Sequence, residues 1–73
     1  MVKGFVVQTG DEIRLCSALA ESFPPQCGGP SLAIEGAVDA DFAAEGDVRW
    51  TENEVSLLGD VEGDVLRVSA TSK

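Results

Sequence analysis

Two cysteines, Cys16 and Cys27, bracket a short segment whose far end is crowded with prolines and glycines. In a chain of 73 residues no other feature restricts the fold as much. A domain of this size buries only about 60% of the surface its unfolded chain exposes, so it is marginal without a staple. One even pair of cysteines in a small acidic domain points to a structural disulfide made in an oxidising compartment. In the chain-entropy description, closing a loop of this length contributes roughly 3 kcal/mol, a large share of what such a domain can have. The bond would pin the rigid proline-glycine segment against the strand that carries Cys16.

Three other uses of the pair remain open to the sequence. A redox-active pair is usually Cys-x-x-Cys at a helix start, and neither cysteine here has a Lys or His beside it. A zinc site would need two further ligands, whereas the chain has no His and no third Cys. Two free, buried thiols in a reducing cell are the last alternative.

Hydropathy alternation sets the rest of the chain as strands. Val2–Thr9 alternates, with Phe5 and Val7 on one face and Val6 on the other. Gly10-Asp11 is a turn pair, and Glu12–Cys16 alternates again, placing Ile13 and Leu15 opposite Arg14 and Cys16. Ser22–Pro30 reads as a loop, because three prolines and two glycines within it suit neither a helix nor a central strand. Leu32–Glu35 is the next strand. Asp39–Glu45 is the one candidate helix: Asp39 is a good N-cap, Ala40, Ala43 and Ala44 favour helix, and Gly46 suits the left-handed position after it. So short a helix must dock, and Phe42 is the side chain to do it, plugging one end of the fold. Val48–Thr51 is a short bridging segment. Glu54–Val61 is a strand with Val55, Leu57 and Val61 on one face and Gly59 at a bend or bulge. Glu62-Gly63-Asp64 turns the chain into Val65–Ser69, with Leu66 and Val68 inward.

The order is strand, strand, strand, short helix, strand, strand. That is the order of a mainly β, five-stranded OB-like barrel, with other small barrels or a sandwich as rivals. Residues 1–73 are expected to form this one disulfide-stapled domain, cut from a longer exported protein.

Charge narrows the partners. Five Lys and Arg stand against thirteen Asp and Glu, a net charge of −8. A phosphate backbone is held mainly by Lys and Arg, so no nucleic-acid partner is expected. No run approaches the ~20 apolar residues of a membrane span. The residues from Met1 lack the apolar region and cleavage site of a signal peptide, so export implies a signal or lipid-anchor segment outside this chain.

The run Cys16-Ser17-Ala18-Leu19-Ala20-Glu21-Ser22-Phe23-Pro24-Pro25-Gln26-Cys27-Gly28-Gly29-Pro30, with Trp50 and Val55–Gly63 further on, resembles a family of small uncharacterised secreted or lipoprotein-like domains of actinobacteria. The Pro-Pro-Gln-Cys-Gly-Gly core is its most specific mark, and the resemblance covers most of the chain. It implies a cell-envelope location and a disulfide. It implies no chemistry.

Other candidate sites follow from residue type. Phe23, Pro24, Pro25, Gln26, Gly28 and Gly29 form a candidate recognition loop, since rigidity lowers the ordering cost of binding; alternatively Phe23 covers a barrel edge and Gln26 caps a turn. Trp50 is a candidate interface residue, with burial in the core as its competing role. Asp39, Asp41, Glu45 and Asp47, and again Asp60, Glu62 and Asp64, offer hard oxygen ligands. Neither group has the calcium-loop spacing, so no metal and no cofactor is expected. With no His, no nucleophile elbow and no phosphate loop, the chain is not expected to be an enzyme. The leading expectation is a non-catalytic envelope or secreted module that binds an unidentified protein or envelope component. An oligonucleotide-binding barrel and a thiol–disulfide redox protein are the alternatives.

Overall fold

A computed structural model describes residues 2–20 and 26–72. Among them the chain forms seven strands and no helix: β1 (Val2–Thr9), β2 (Glu12–Ala20), β3 (Gln26–Glu35), β4 (Ala43–Glu45), β5 (Val48–Trp50), β6 (Val55–Glu62) and β7 (Val65–Ser72). The hydrogen-bonded order is β2-β3-β7-β6-β1-β5-β4, and β1 also pairs with β2. Strands β1, β2, β3, β7 and β6 therefore close into a five-stranded barrel. Only the β3–β7 seam is parallel. The β4–β5 hairpin lies outside that ring, attached to β1 through β5.

Three of the connections are the same device. Gly10-Asp11, Gly46-Asp47 and Gly63-Asp64 each join strands whose flanking residues pair directly: Thr9 with Glu12, Glu45 with Val48, and Glu62 with Val65. The glycines have φ of 59°, 62° and 62°, which a two-residue hairpin with glycine at its first central position requires. Asp at the second position tolerates the turn.

Strand β1 is long enough to serve several partners. Val2–Gly4 pairs with β6, Val7–Thr9 pairs with β5, and Phe5–Thr9 pairs with β2 on the opposite edge. Where β1 passes from β6 to β5 the ladder is interrupted, and Thr51 fills the gap. Its Oγ1 accepts from the Val6 N–H at 2.9 Å, and its own N–H donates to the Val6 carbonyl at 2.9 Å.

The pleat sends successive side chains to opposite faces, and this chain uses both faces of its sheet. Inside the barrel, Val6, Leu15, Ile34, Leu57 and Leu66 form the main core, with Val2, Ile13, Leu32, Val55 and Val68 packed against it. Each fully buried aliphatic side chain contributes about 1.5–3 kcal/mol. Outside, Val7, Cys16 and Trp50 form a second buried cluster, covered by Leu19, Cys27, Ala43 and Val48. Val6 and Val7, like Leu15 and Cys16, are neighbours in sequence that serve different cores.

Several expectations need correction. Residues 39–45 are not helical: the chain runs irregularly to Phe42 and enters β4 at Ala43. Asp39 caps no helix, and its N–H donates to Thr71 Oγ1 at 3.0 Å. The Gly46 that suits a helix C-terminus equally suits a hairpin, and pairing with β5 offers these alanines more than an isolated helical turn does. Phe42 nonetheless packs against the barrel core, from irregular chain. Val48–Thr51 is more than a bridge, since Val48–Trp50 is a paired strand.

The expected loop over residues 22–30 is also too long, because β3 starts at Gln26. Its proline and glycines fit through a bulge. Cys16 pairs with Ser31 and Ala18 with Gly28, so Gly29 and Pro30 together oppose Ser17 alone. Gly29 takes φ of 72°, and Pro30, which has no N–H to give, occupies a position without a ladder partner. A second bulge lies opposite Gly59, where Leu58 pairs with Ala70 and Gly59 with Val68, leaving Ser69 unpaired. Beyond it Val61 is 50% exposed and does not share the burial of Leu57.

Candidate functional site

The Cys16–Cys27 disulfide is formed, with the Cα atoms 5.3 Å apart. It belongs to the β2–β3 hairpin, whose two strands outrun the barrel. β1 pairs with β2 only as far as Cys16, and β7 pairs with β3 only from Ala33. Ser17–Ala20 and Gln26–Pro30 thus form a two-stranded arm held by a single ladder. The bulge at Gly29-Pro30 bends this arm, and the disulfide fastens it over the outer face of β1. Cys16 is fully buried there, and Cys27 and Leu19 roof the second core above Val7 and Trp50.

Of the candidate recognition loop, Gln26 and Gly29 are exposed and Gly28 is half-buried. Phe23, Pro24 and Pro25 lie outside the described residues. Beside Gln26 and Cys27 a small cleft reaches Val7, Glu12 and Arg14, and the Arg14 Nε donates to Ser31 Oγ at 2.9 Å. Trp50 is 5% exposed, leaving little of its indole for a partner.

A larger opening lies beside the β4–β5 hairpin. The irregular segment before β4 and the turn between β5 and β6 enclose a cleft of about 470 Å³. Phe42, Ala43 and Val55 supply its apolar lining, and Asp39, Asp41, Glu52 and Glu54 stand at its edge. The Arg49 guanidinium lies 4.8 Å above the centre of the Phe42 ring. Sequence reading missed the feature because its two walls come together only in the folded chain.

The two sequence clusters of acids separate into different roles. Asp39 and Asp41 face the cleft, whereas Glu45 and Asp47 flank the Gly46 turn. Glu62 shares Arg67 with Glu35, each ion pair 3.5 Å long and each partner well exposed, so both contribute little. Among the described residues no three acidic or cysteine side chains converge closely enough to hold a metal ion. Nor is any helix among them long and apolar enough to cross a membrane.

What the described residues define is a disulfide-stapled, closed β-barrel with a second core on its outer face and an acid-edged cleft beside the β4–β5 hairpin. Comparison of the chain with protein-family models, with curated proteins and with solved structures gives no match.

Proposed function

We propose that the protein is an exported, non-catalytic binding module of the cell envelope or extracellular space. The carrying observation is the disulfide and where it sits. Cys16 is fully buried in the outer core and Cys27, bonded to it, packs over that core, so the bond is a built-in part of the fold, as suits an oxidising compartment. The resemblance of the Cys16–Pro30 run to small secreted or lipoprotein-like actinobacterial domains supports the same compartment. The strand connectivity supports an OB-like barrel: the first three strands are consecutive neighbours, the third is parallel to the last, and the first also pairs with the penultimate barrel strand. Such barrels present ligands on their outer surface and at their ends. With thirteen acids and five cations, this surface opposes a phosphate backbone and favours a protein or envelope partner.

Intact-mass measurement of native protein, purified without reductant and treated with an alkylating agent, tests the reading. The expected mass is two hydrogens below that of the reduced chain, with no alkyl group added. Two alkylated cysteines would overturn it.

A further inference from the structure

The acid-edged cleft beside the β4–β5 hairpin has the build of a docking groove. Its floor is apolar, from Phe42, Ala43 and Val55, and it is about 470 Å³ in volume, room for one or two long side chains. Its edge carries Asp41, Glu52 and Glu54, all exposed, together with Asp39. Among the described residues no Lys or Arg lines it. Phe42 and Val55 also pack against the barrel core, so the floor is held in place by it.

The distribution of the carboxylates decides what chemistry fits. They come from two separate segments, on either side of the opening. They do not converge into a group able to hold a metal ion. A point cation therefore gains little here, whereas an extended occupant with spaced positive charges meets both edges at once. Lys and Arg have the right form for this, with an aliphatic stem to cover an apolar floor and a charged head that reaches the rim. Arg49 holds its guanidinium over the Phe42 ring at 4.8 Å without lining the cleft, so an incoming side chain meets the floor through its aliphatic stem and the carboxylates through its head.

We propose that this cleft docks a basic, extended segment of a partner protein, with its Arg or Lys stems on the Phe42–Val55 floor and their heads at Asp41, Glu52 and Glu54. The proposal rests on the reading of the protein as a binding module and gives that reading a site and a class of partner. Complementary charge would steer the encounter and make it sensitive to salt.

The test is a titration of the oxidised, ¹⁵N-labelled full chain with a capped peptide of alternating arginine and alanine, followed by amide shifts. Expected are saturable shifts confined to residues 39–43 and 51–56, lost in about 0.5 M salt, where screening reaches only a few ångströms. The double variant Asp41→Asn/Glu54→Gln should bind roughly fivefold more weakly, while Asp11→Asn/Asp60→Asn, which removes equal charge elsewhere, should bind as the parent does. Equal weakening by both variants, or shifts spread over all acidic turns, would reduce the effect to general polyanion attraction and overturn the proposal. So would no shift at all, an unaltered response to the citrulline analogue of the peptide, or the same saturable shifts with calcium chloride alone. Because the protein is used with its disulfide already verified by mass, a failure here leaves the assignment to an oxidising compartment standing. Free thiols in the mass measurement would instead remove that assignment and leave the cleft to be judged by the titration.

Discussion

At the scale of single residues, Thr51 shows how a closed barrel handles a strand that changes partners. The Val6 amide lies in the core, where an unpaired N–H costs about 1–3 kcal/mol, and no strand reaches it. Thr51, 2% exposed, supplies the acceptor from its side chain. Thr51→Val keeps the shape and removes that acceptor, so it should destabilise by about 1–3 kcal/mol in urea unfolding, with Thr51→Ser much milder. A Val variant as stable as the parent would mean that the Val6 N–H finds another acceptor. Two glycines separate the two reasons a glycine is needed. Gly46 has open space where a Cβ would go but a φ of 62°, so Gly46→Ala should cost about 1–2 kcal/mol through the backbone alone, and Asn less. Gly59 has no such φ, but a Cβ there would run into the backbone carbonyl of Arg67. Gly59→Ala must move β7 against β6 and should cost about 1–3 kcal/mol, with Asn offering no relief. Thermal unfolding of the four variants separates the cases: Asn rescues at 46 and not at 59.

At the scale of elements, the disulfide fastens an arm and does not tie distant parts of the chain together. Its ends are only 11 residues apart, within one hairpin. The Cys16→Ser/Cys27→Ser protein should lose roughly 3 kcal/mol of stability, as the chain-entropy description of so short a loop gives. The loss should fall on the outer core first. Trp50 fluorescence should shift to the red, and amides of 17–20 and 26–30 should exchange faster, while those of Val6, Leu57 and Leu66 keep their rank as the slowest. An unchanged Trp50 spectrum would show that the arm holds the outer core without the bond. This division also marks what could be read in the sequence. Strands β1, β2, β6 and β7 were legible because alternation is a local signal, and so was the cysteine pair. Residues 39–45 misled because alanine propensity is weak, and pairing with β5 outweighs it. The Gly-Asp dipeptide at 46–47, like those at 10–11 and 63–64, was the available sign of a hairpin there, although a fourth at 59–60 lies inside β6. Pro30 misled because its tolerance depends on a bulge opposite Ser17, which is a fact of pairing and not of composition. The acid-edged cleft was not legible at all, since neither of its walls is distinctive alone.

At the scale of the whole molecule, the dominant unsatisfied quantity is charge. A net −8 on a domain of 73 residues, with a Cα radius of gyration of 11.1 Å, places most like charges within two or three screening lengths of one another. Most of the described acids sit at strand ends, in turns or in the irregular segments before β4 and β6. Gly10 donates to the Asp47 carbonyl, so two Gly-Asp turns, with Asp11 and Asp47, lie side by side. Added salt acts in two directions here. It weakens the attraction of Arg67 for Glu35 and Glu62, but those pairs are exposed and worth little to begin with. It also screens the repulsion among the excess acids, which the unfolded chain relieves by expanding and the compact barrel cannot. The second effect involves more charges, so the sign is fixed: neutral salt stabilises. Between about 10 mM and 0.5 M sodium chloride the melting temperature should rise by roughly 3–6 °C, most of it below about 0.15 M, where the screening length changes most. A Hofmeister effect on apolar burial would instead grow at high salt and depend on the anion, so sodium chloride and sodium perchlorate should agree over the low range. A melting temperature that falls with salt would mean that the few ion pairs outweigh the net charge, and Arg67→Ala would then remove the dependence.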